Sequence, residues 1–259
     1  MLARRLLEEV KPPFSIGDGF VTFRIEDLPF GPDALKACQE IAAVEKAAYR
    51  AAPGEKGFLR TLLSADSLRE RPDILLFALS PDLAAVVTEY LGAVPTLSDV
   101  RLWWSVPSEG PPLLASSQKF HRDHEDFRQV KAFINIDPVD EDAGPFSFLP
   151  ASVSERVVER LSGAHGRIED ADVFTHASED ELVVLTGPSG DGAMIDTCRC
   201  LHFGSRNESK ERLVLMLHYV GFHSIVEPDA KVLDDQLRSE MQKGDPVADA
   251  LLRVRPSGL

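Results

Sequence analysis

The chain has 259 residues, 44% of them apolar and 27% charged, enough to bury a substantial core in one large domain or two small ones. Its formal net charge of -14 argues against nucleic acid as the main partner and disfavours anionic membrane surfaces, because both are bound through clustered Lys and Arg. Three cysteines make no disulfide framework, the leading segment MLARRLLEEVKPP has no apolar stretch, and no run of roughly 20 apolar residues occurs, so the composition points to a soluble cytoplasmic protein.

Taken in order, residues 1–32 predict a short helix, a turn at Pro12-Pro13 and a strand over 19–25, where Phe20, Thr22, Phe23 and Ile25 alternate in part. Residues 33–51 read as a helix, with Asp33 as N-cap and Pro53-Gly54 as its stop. A second helical region spans 63–92, with Pro81 in a first turn and an apolar stripe of Leu83, Val86, Val87, Tyr90 and Leu91. These helices carry no obvious chemistry, and packing against a sheet is their expected role.

From residue 98 the texture changes to short strand-like runs separated by turns. Strands are expected over 99–106, which holds Trp103 and Trp104, and over 130–137, 146–149, 181–186, 193–203 and 211–222. A loop covers 107–112, and a helix over 152–161 has the capping-box pattern Ser152-x-x-Glu155. From Glu227 onward the tail reads as one exposed helix ending near Gly244-Asp245-Pro246. Helices first and short strands after predict an α+β chain with one β-rich core. We read one domain over 1–259: support in 1–97, the core in 98–222, and a helix and tail in 223–259.

Strand alternation decides which side chains share a cavity. If Arg212 points inward, Val214, Met216 and His218 do too, and Leu213, Leu215, Leu217 and Tyr219 pack beneath helices. Val130, Ala132, Ile134 and Ile136 form the apolar face of another strand, and Lys131, Phe133 and Asn135 its other face. If His202 points inward, unbroken alternation puts Asp196, Cys198 and Cys200 beside it. Trp103 and Trp104 fall on opposite faces, one in the core and one nearer a cavity mouth. A buried arginine is costly without a partner, so Arg212 is expected to meet a carboxylate of protein or ligand.

His121-x-Asp123 puts an imidazole and a carboxylate on one side of an extended segment, and His202 from another strand completes a three-point face. Two histidines and one carboxylate with open positions form the ligand set of non-haem Fe(II) oxygenases. Two other metal readings compete: a hydrolase cluster through His124, and half a zinc site in Cys198-x-Cys200-x-His202. The first lacks further His/Asp ligands downstream. The second lacks a partner pair, which leaves both cysteines as small apolar wall residues. His165, His176 and His223 read as surface residues, and His218 fits either core packing or support of the site.

In sequence order, Gln118-Lys-Phe-His121-Arg-Asp123, Phe133-x-x-x-Asp137-x-Val139-Asp140, Gly144-Pro145, Leu149-Pro150-Ala151-Ser152, Gly187-Pro-x-Gly190, Asp196-Thr197, His202-Phe-Gly204, Asn207 and Arg212 resemble the phytanoyl-CoA dioxygenase family of Fe(II)/2-oxoglutarate oxygenases. The resemblance spans roughly 100–220. It implies a double-stranded β-helix, a cupin-like jelly roll with buttressing helices. It also implies His121, Asp123 and His202 as Fe(II) ligands and Arg212 as partner of the 2-oxoglutarate side-chain carboxylate, a pairing that suits the guanidinium fork. Phe133, Lys131, Gln118 and Gly204 fall near the co-substrate on the same basis.

Three positions depart from the family pattern: Val153 replaces a histidine, Phe133 a tryptophan found in some members, and Gly204 a serine. Lys131, Asn135 or Ser205 are the candidates to compensate. The activity implied is dioxygen-dependent decarboxylation of 2-oxoglutarate to succinate and CO2, supported by ascorbate and coupled to hydroxylation of a small organic substrate, and the net acidity of the chain favours one that is not polyanionic. Desaturation, epimerisation or cyclisation by the same chemistry, and a non-catalytic metal- or ligand-binding jelly roll, are the alternatives. The loop 105–117 and the N-terminal helices are expected to shape the substrate mouth.

Overall fold

Alternation is clearest in 130–136 and 212–219, and these segments become the middle of the larger of two sheets. In the computed structural model, which describes residues 1–48, 59–107, 114, 116–163, 165–206, 209–224, 232–242 and 244–253, the chain opens with α1 (Leu2–Glu9), β1 (Phe20–Arg24) and α2 (Gly31–Ala48). It continues with β2 (Leu59–Thr61), α3 (Ala65–Glu70), α4 (Asp73–Ala78) and α5 (Pro81–Leu91). Next come β3 (Thr96–Ser105), β4 (Gln129–Asn135), β5 (Ser147–Phe148), α6 (Ala151–Arg160) and α7 (Asp170–Val173). Then follow β6 (Val183–Val184), β7 (Asp191–Ile195), β8 (His202–Phe203), β9 (Arg212–Val220), α8 (Asp235–Met241) and α9 (Pro246–Leu251).

The strands form two antiparallel sheets, one of order β1-β7-β4-β9-β3-β2 and one of order β6-β5-β8. One face of the large sheet carries Val130, Ala132, Ile134, Leu213, Leu215, Leu217 and Tyr219 into a core shared with α2–α5. The other face sends Phe133, Ala193, Ile195, Val214 and Met216 against Phe146 and Phe148 beside and within the small sheet. Both expected alternations hold, so the mixed helix–sheet reading stands. Behind the small sheet, Val153 and Val157 of α6 meet Phe120, Leu149 and Phe203.

Local chemistry explains where the elements start and stop. Ser80 caps α5 through Leu83 N, Pro81 occupies its first turn, and Gly92 ends it at φ 75°. The helix expected from Asp33 begins at Gly31, where a Cβ would lie 1.8 Å from Ile25 O, so no side chain fits. Asp33 therefore sits inside the first turn and is not the cap. The stop at Pro53-Gly54, the loop 107–112 beyond Pro107 and Asn207 lie outside the described residues.

Four other expectations are corrected. The helical region 63–92 is three helices, broken near Pro72 and Pro81. The expected capping box at Ser152 is absent, because Pro150 holds the N-cap position. Asp18, distant in sequence, accepts from the Ser152 N–H and hydroxyl at 2.8 and 2.7 Å instead. The strand 193–203 is interrupted: Asp196 accepts from Arg199 N, Cys200 N and, through Oδ1, Cys198 N, which turns the chain. Finally, the tail folds as α8 and α9 rather than one exposed helix. Buried Arg238 donates to the Leu97, Ser98 and Leu233 carbonyls, and Leu237 and Leu251 join the core.

Candidate metal centre

A short extended segment, 119–123, carries two of the three candidate ligands between two neighbours. On one side His121 and His202 exchange backbone hydrogen bonds of 3.1 and 3.0 Å. Asp123 N is anchored on Thr197 O of the same neighbouring segment at 2.8 Å, and on the other side Ile168 N donates to Phe120 O at 2.8 Å. His202 is in turn registered opposite Phe148 on β5. Backbone pairing thus fixes both histidines before any ion is considered.

The donor atoms of His121, Asp123 and His202 lie within 4.8 Å of one another. Asp123 Oδ1 is 3.9 Å from His121 Nε2, and Oδ2 is 3.7 Å from His202 Nε2. A first-row divalent ion about 2.0–2.2 Å from each donor spans pairs up to about 4 Å apart, so these separations suit one. Each imidazole directs Nδ1 at a backbone carbonyl, His121 at Lys119 O (2.8 Å) and His202 at Cys200 O (2.9 Å). Donation there leaves both Nε2 lone pairs facing the carboxylate. Burial, with neighbouring cations, holds both rings neutral: it takes His121 down to about 3 and also lowers His202. No other group of three His, Cys, Asp or Glu side chains gathers in this way among the described residues.

Asp123 is ionised although burial opposes it. The Lys131 ammonium, 2.7 Å from Oδ2, holds its carboxyl below the usual range, and a hydrogen bond from the Thr197 hydroxyl adds to it. Lys131 lies also 3.5 Å from Glu125 Oε1, and these carboxylates keep its own pKa raised against burial. Gln129, at the head of β4 on the Lys131 face, supplies a second support. Its Nε2 is 2.8 Å from Thr197 Oγ1 and 3.2 Å from both Asp123 Oδ2 and Glu125 Oε2, while Oε1 lies 3.0 Å from His218 Nε2. Burial keeps His218 neutral, so its Nε2–H donates and aims the amide at Asp123. His218 therefore supports the site through Gln129.

These three side chains open onto a cavity of about 320 Å³ whose wall includes Trp103, Phe133, Phe146, Gly204 and Arg212. Phe146 stacks on Phe133 (ring centroids 4.0 Å apart) and on His202 (5.5 Å). Arg212 is buried on β9 opposite Ser105, and its Nη2 donates to Ser205 Oγ at 2.6 Å. Ser205 Oγ is also 2.8 Å from Ser105 Oγ. A guanidinium positioned this way beside three metal-type donors can receive an anion that chelates the ion from its other end.

No protein-family model matches the chain, and no curated protein matches it by sequence. Solved structures do. The epimerase SnoN in complex with Fe3+, alpha ketoglutarate and nogalamycin RO superposes with a TM-score of 0.52 at 17% identity, over 85% of this chain and 84% of that one. EctD from S. alaskensis with 2-oxoglutarate and 5-hydroxyectoine gives 0.56 at 18%, over 80% and 73%. HygX from Streptomyces hygroscopicus with nickel and 2-oxoglutarate bound gives 0.51 at 15%, over 79% and 83%. The chain shares their fold.

Within that fold the remaining expected residues fall in distinct places. Gly204 and Phe133 line the cavity; Gln118 does not, and its amide donates instead to Ser205 O at 2.6 Å, bracing the segment beside Arg212. Lys131 lines the cavity with its ammonium turned to Asp123, Ser205 meets Arg212, and Asn135 is buried away from the cavity wall. Trp103 faces the cavity, while Trp104 joins the helix-side core and donates to Glu211. His124 is exposed at the mouth, His165 is exposed on the neighbouring cavity, His223 is exposed elsewhere, and His176, expected at the surface, is half-buried.

The turn at 196–200 separates the residues that unbroken alternation put beside His202. Asp196 accepts from Tyr90 OH at 2.7 Å, Cys200 packs with Phe148 and Ala151, and Cys198 Sγ donates to Asp126 O. Burial pushes the Cys198 thiol up to about 12. Four residues at or behind the mouth went unread in the sequence: Arg122, Glu125, Arg167 and Gln129. Only Gln129 carried a usable signal, its place two residues before Lys131 on one strand face.

Proposed function

We propose that the protein is a non-haem Fe(II)- and 2-oxoglutarate-dependent dioxygenase acting on a small organic molecule, with succinate and CO2 as co-products. The observation that carries this reading is the neutral, Nε2-presenting histidine pair beside ionised Asp123, in one cavity with Arg212. Structures of the same fold, described with iron or nickel and 2-oxoglutarate or alpha ketoglutarate, support it.

In this reading His121, Asp123 and His202 hold the metal, which supplies dioxygen activation when bound. Arg212, steadied by Ser205, takes the far carboxylate of 2-oxoglutarate and sets how its 2-oxo acid end meets the metal. Lys131 and Gln129 hold Asp123 ionised and oriented before metal arrives. Phe133, Phe146 and Trp103 shield the cavity from water. We read the chain as one oxygenase domain with a double-stranded β-helix core, in the manner of the phytanoyl-CoA dioxygenase family. Two facing antiparallel sheets support that reading.

The test is dioxygen-dependent formation of succinate from 2-oxoglutarate with Fe(II) and ascorbate, followed with and without candidate substrates. The expected result is succinate release that His121→Ala abolishes. Tight iron binding with no binding of 2-oxoglutarate would turn the account towards a metal-binding jelly roll without oxygenase chemistry.

A further inference from the structure

The mouth of the cavity holds an arrangement that the metal and co-substrate leave unused. Its wall carries four cationic side chains, Arg122, Lys131, Arg167 and Arg212, against two carboxylates, Asp123 and Glu125. Lys131 contacts both carboxylates. In the oxygenase reading, Arg212 faces one end of the co-substrate, and a divalent metal and dianionic 2-oxoglutarate cancel. Two positive charges are then left over. They sit on Arg122 and Arg167, neither of which makes an ion pair or hydrogen bond with any described residue.

Backbone geometry puts Arg167 at the metal. Phe120 and Ile168 form an antiparallel bridge, and both side chains are buried in the cluster behind the small sheet. Continuing that register by one residue sets Arg167 opposite His121, and side chains opposite each other in an antiparallel pair share a face. That face is the cavity. The position is held from its C-terminal side, by the Ile168 N–H bond to Phe120 O and by the Lys119–Glu169 ion pair. The backbone is fixed while the guanidinium extends, exposed, into solvent.

Arg122 comes from the other side, between ligands His121 and Asp123. Both arginines also line a neighbouring cavity of about 620 Å³, so they stand where the metal cavity meets outer space. In a chain of net charge -14, two cations at a cleft mouth focus a positive field where the average field is negative.

We infer that Arg122 and Arg167 form an anion clamp at this junction, and that the substrate is a small molecule bearing a carboxylate or phosphate that the clamp receives while its apolar body lies in the cavity against Trp103 and Phe133. The inference rests on the oxygenase reading for the role of the metal, and it names the substrate class. Guanidinium forks match either oxyanion with paired, charge-assisted hydrogen bonds.

The test is anaerobic calorimetric titration of the protein carrying Fe(II) and 2-oxoglutarate, so that Arg212 is already engaged. Three probes share one aromatic skeleton: 3-phenylpropanoate, 2-phenylethyl phosphate and the neutral 3-phenylpropanamide. At least one anion is expected to bind about tenfold or more tightly than the amide, and which anion is tighter identifies the substrate's group. The preference should vanish in Arg122→Gln/Arg167→Gln and persist in Arg122→Lys/Arg167→Lys, which also controls for misfolding. Equal affinity for amide and anions, a preference that survives in the double Gln variant, or no saturable binding of either anion overturns the clamp. The visible band of the iron–2-oxoglutarate complex, recorded on the wild-type protein, reports the co-substrate reading separately. If it fails to form, the probes titrated without 2-oxoglutarate still report on the two arginines.

Discussion

Along β9, Leu213, Leu215, Leu217 and Tyr219 face the helices, while Arg212, Val214, Met216 and His218 face the cavity side, one residue out of step on the same backbone. On the helix side the contacts are apolar apart from the Tyr219 hydroxyl, which donates to Ala78 O at 2.7 Å. On the cavity side, polar groups are buried in a connected chain from His218 through Gln129 to Asp123 and Lys131. The first face makes the protein stable, because burial of apolar area is non-directional and sums. The second orders donors at atomic positions and opposes folding unless every member is paired. Substitutions on the two faces should therefore separate stability from binding.

The largest effect belongs to His202→Ala, which removes one of the three candidate metal donors. Metal-dependent turnover is expected to fall below detection, with calorimetry showing no tight divalent-ion binding. Next is Leu217→Ala on the helix face, which should cost about 2–5 kcal/mol of stability in denaturant unfolding. The folded fraction should keep its metal affinity, and a loss of affinity there would erase the contrast between the faces. Gln129→Ala leaves Asp123 and His218 without their shared partner and should weaken metal binding by roughly 10- to 100-fold. Arg212→Lys keeps the charge and loses the fork, so 2-oxoglutarate affinity should drop by roughly 10- to 100-fold, the worth of one charged hydrogen bond.

A separate effect is that of pH on the metal-free protein. Burial, with the neighbouring His202 adding to it, takes His121 from its ordinary value to about 3, and burial lowers His218 as well. The unfolded chain binds those protons from about pH 6.5 downward and the folded chain does not. Stability is thus fully present above about 6.5 and falls as the pH drops towards 3, as equilibrium unfolding across that window would record. A flat profile would contradict neutral imidazoles in the buried site.

Much of this was legible in the sequence where one local rule sufficed. Period-two alternation set the faces of β4 and β9, and His121-x-Asp123 with His202 and Arg212 marked the cavity. Legibility failed where a distant group decided the local outcome. The break between β7 and β8 has no glycine or proline; it depends on Asp196 gathering N–H groups while Tyr90 holds its other oxygen. The start of α6 is capped by Asp18, far away in sequence. Arg122 and Arg167 line the same two cavities because Phe120 pairs with Ile168, a bridge that no periodicity announces.

The most direct measurement is anaerobic titration of Fe(II) and 2-oxoglutarate into metal-free protein, watching the weak visible charge-transfer band of the chelate. The account predicts a saturable band in the wild type, none in His202→Ala and a weakened one in Arg212→Ala. Iron that binds without any band, or a band unaffected by loss of His202, would contradict it.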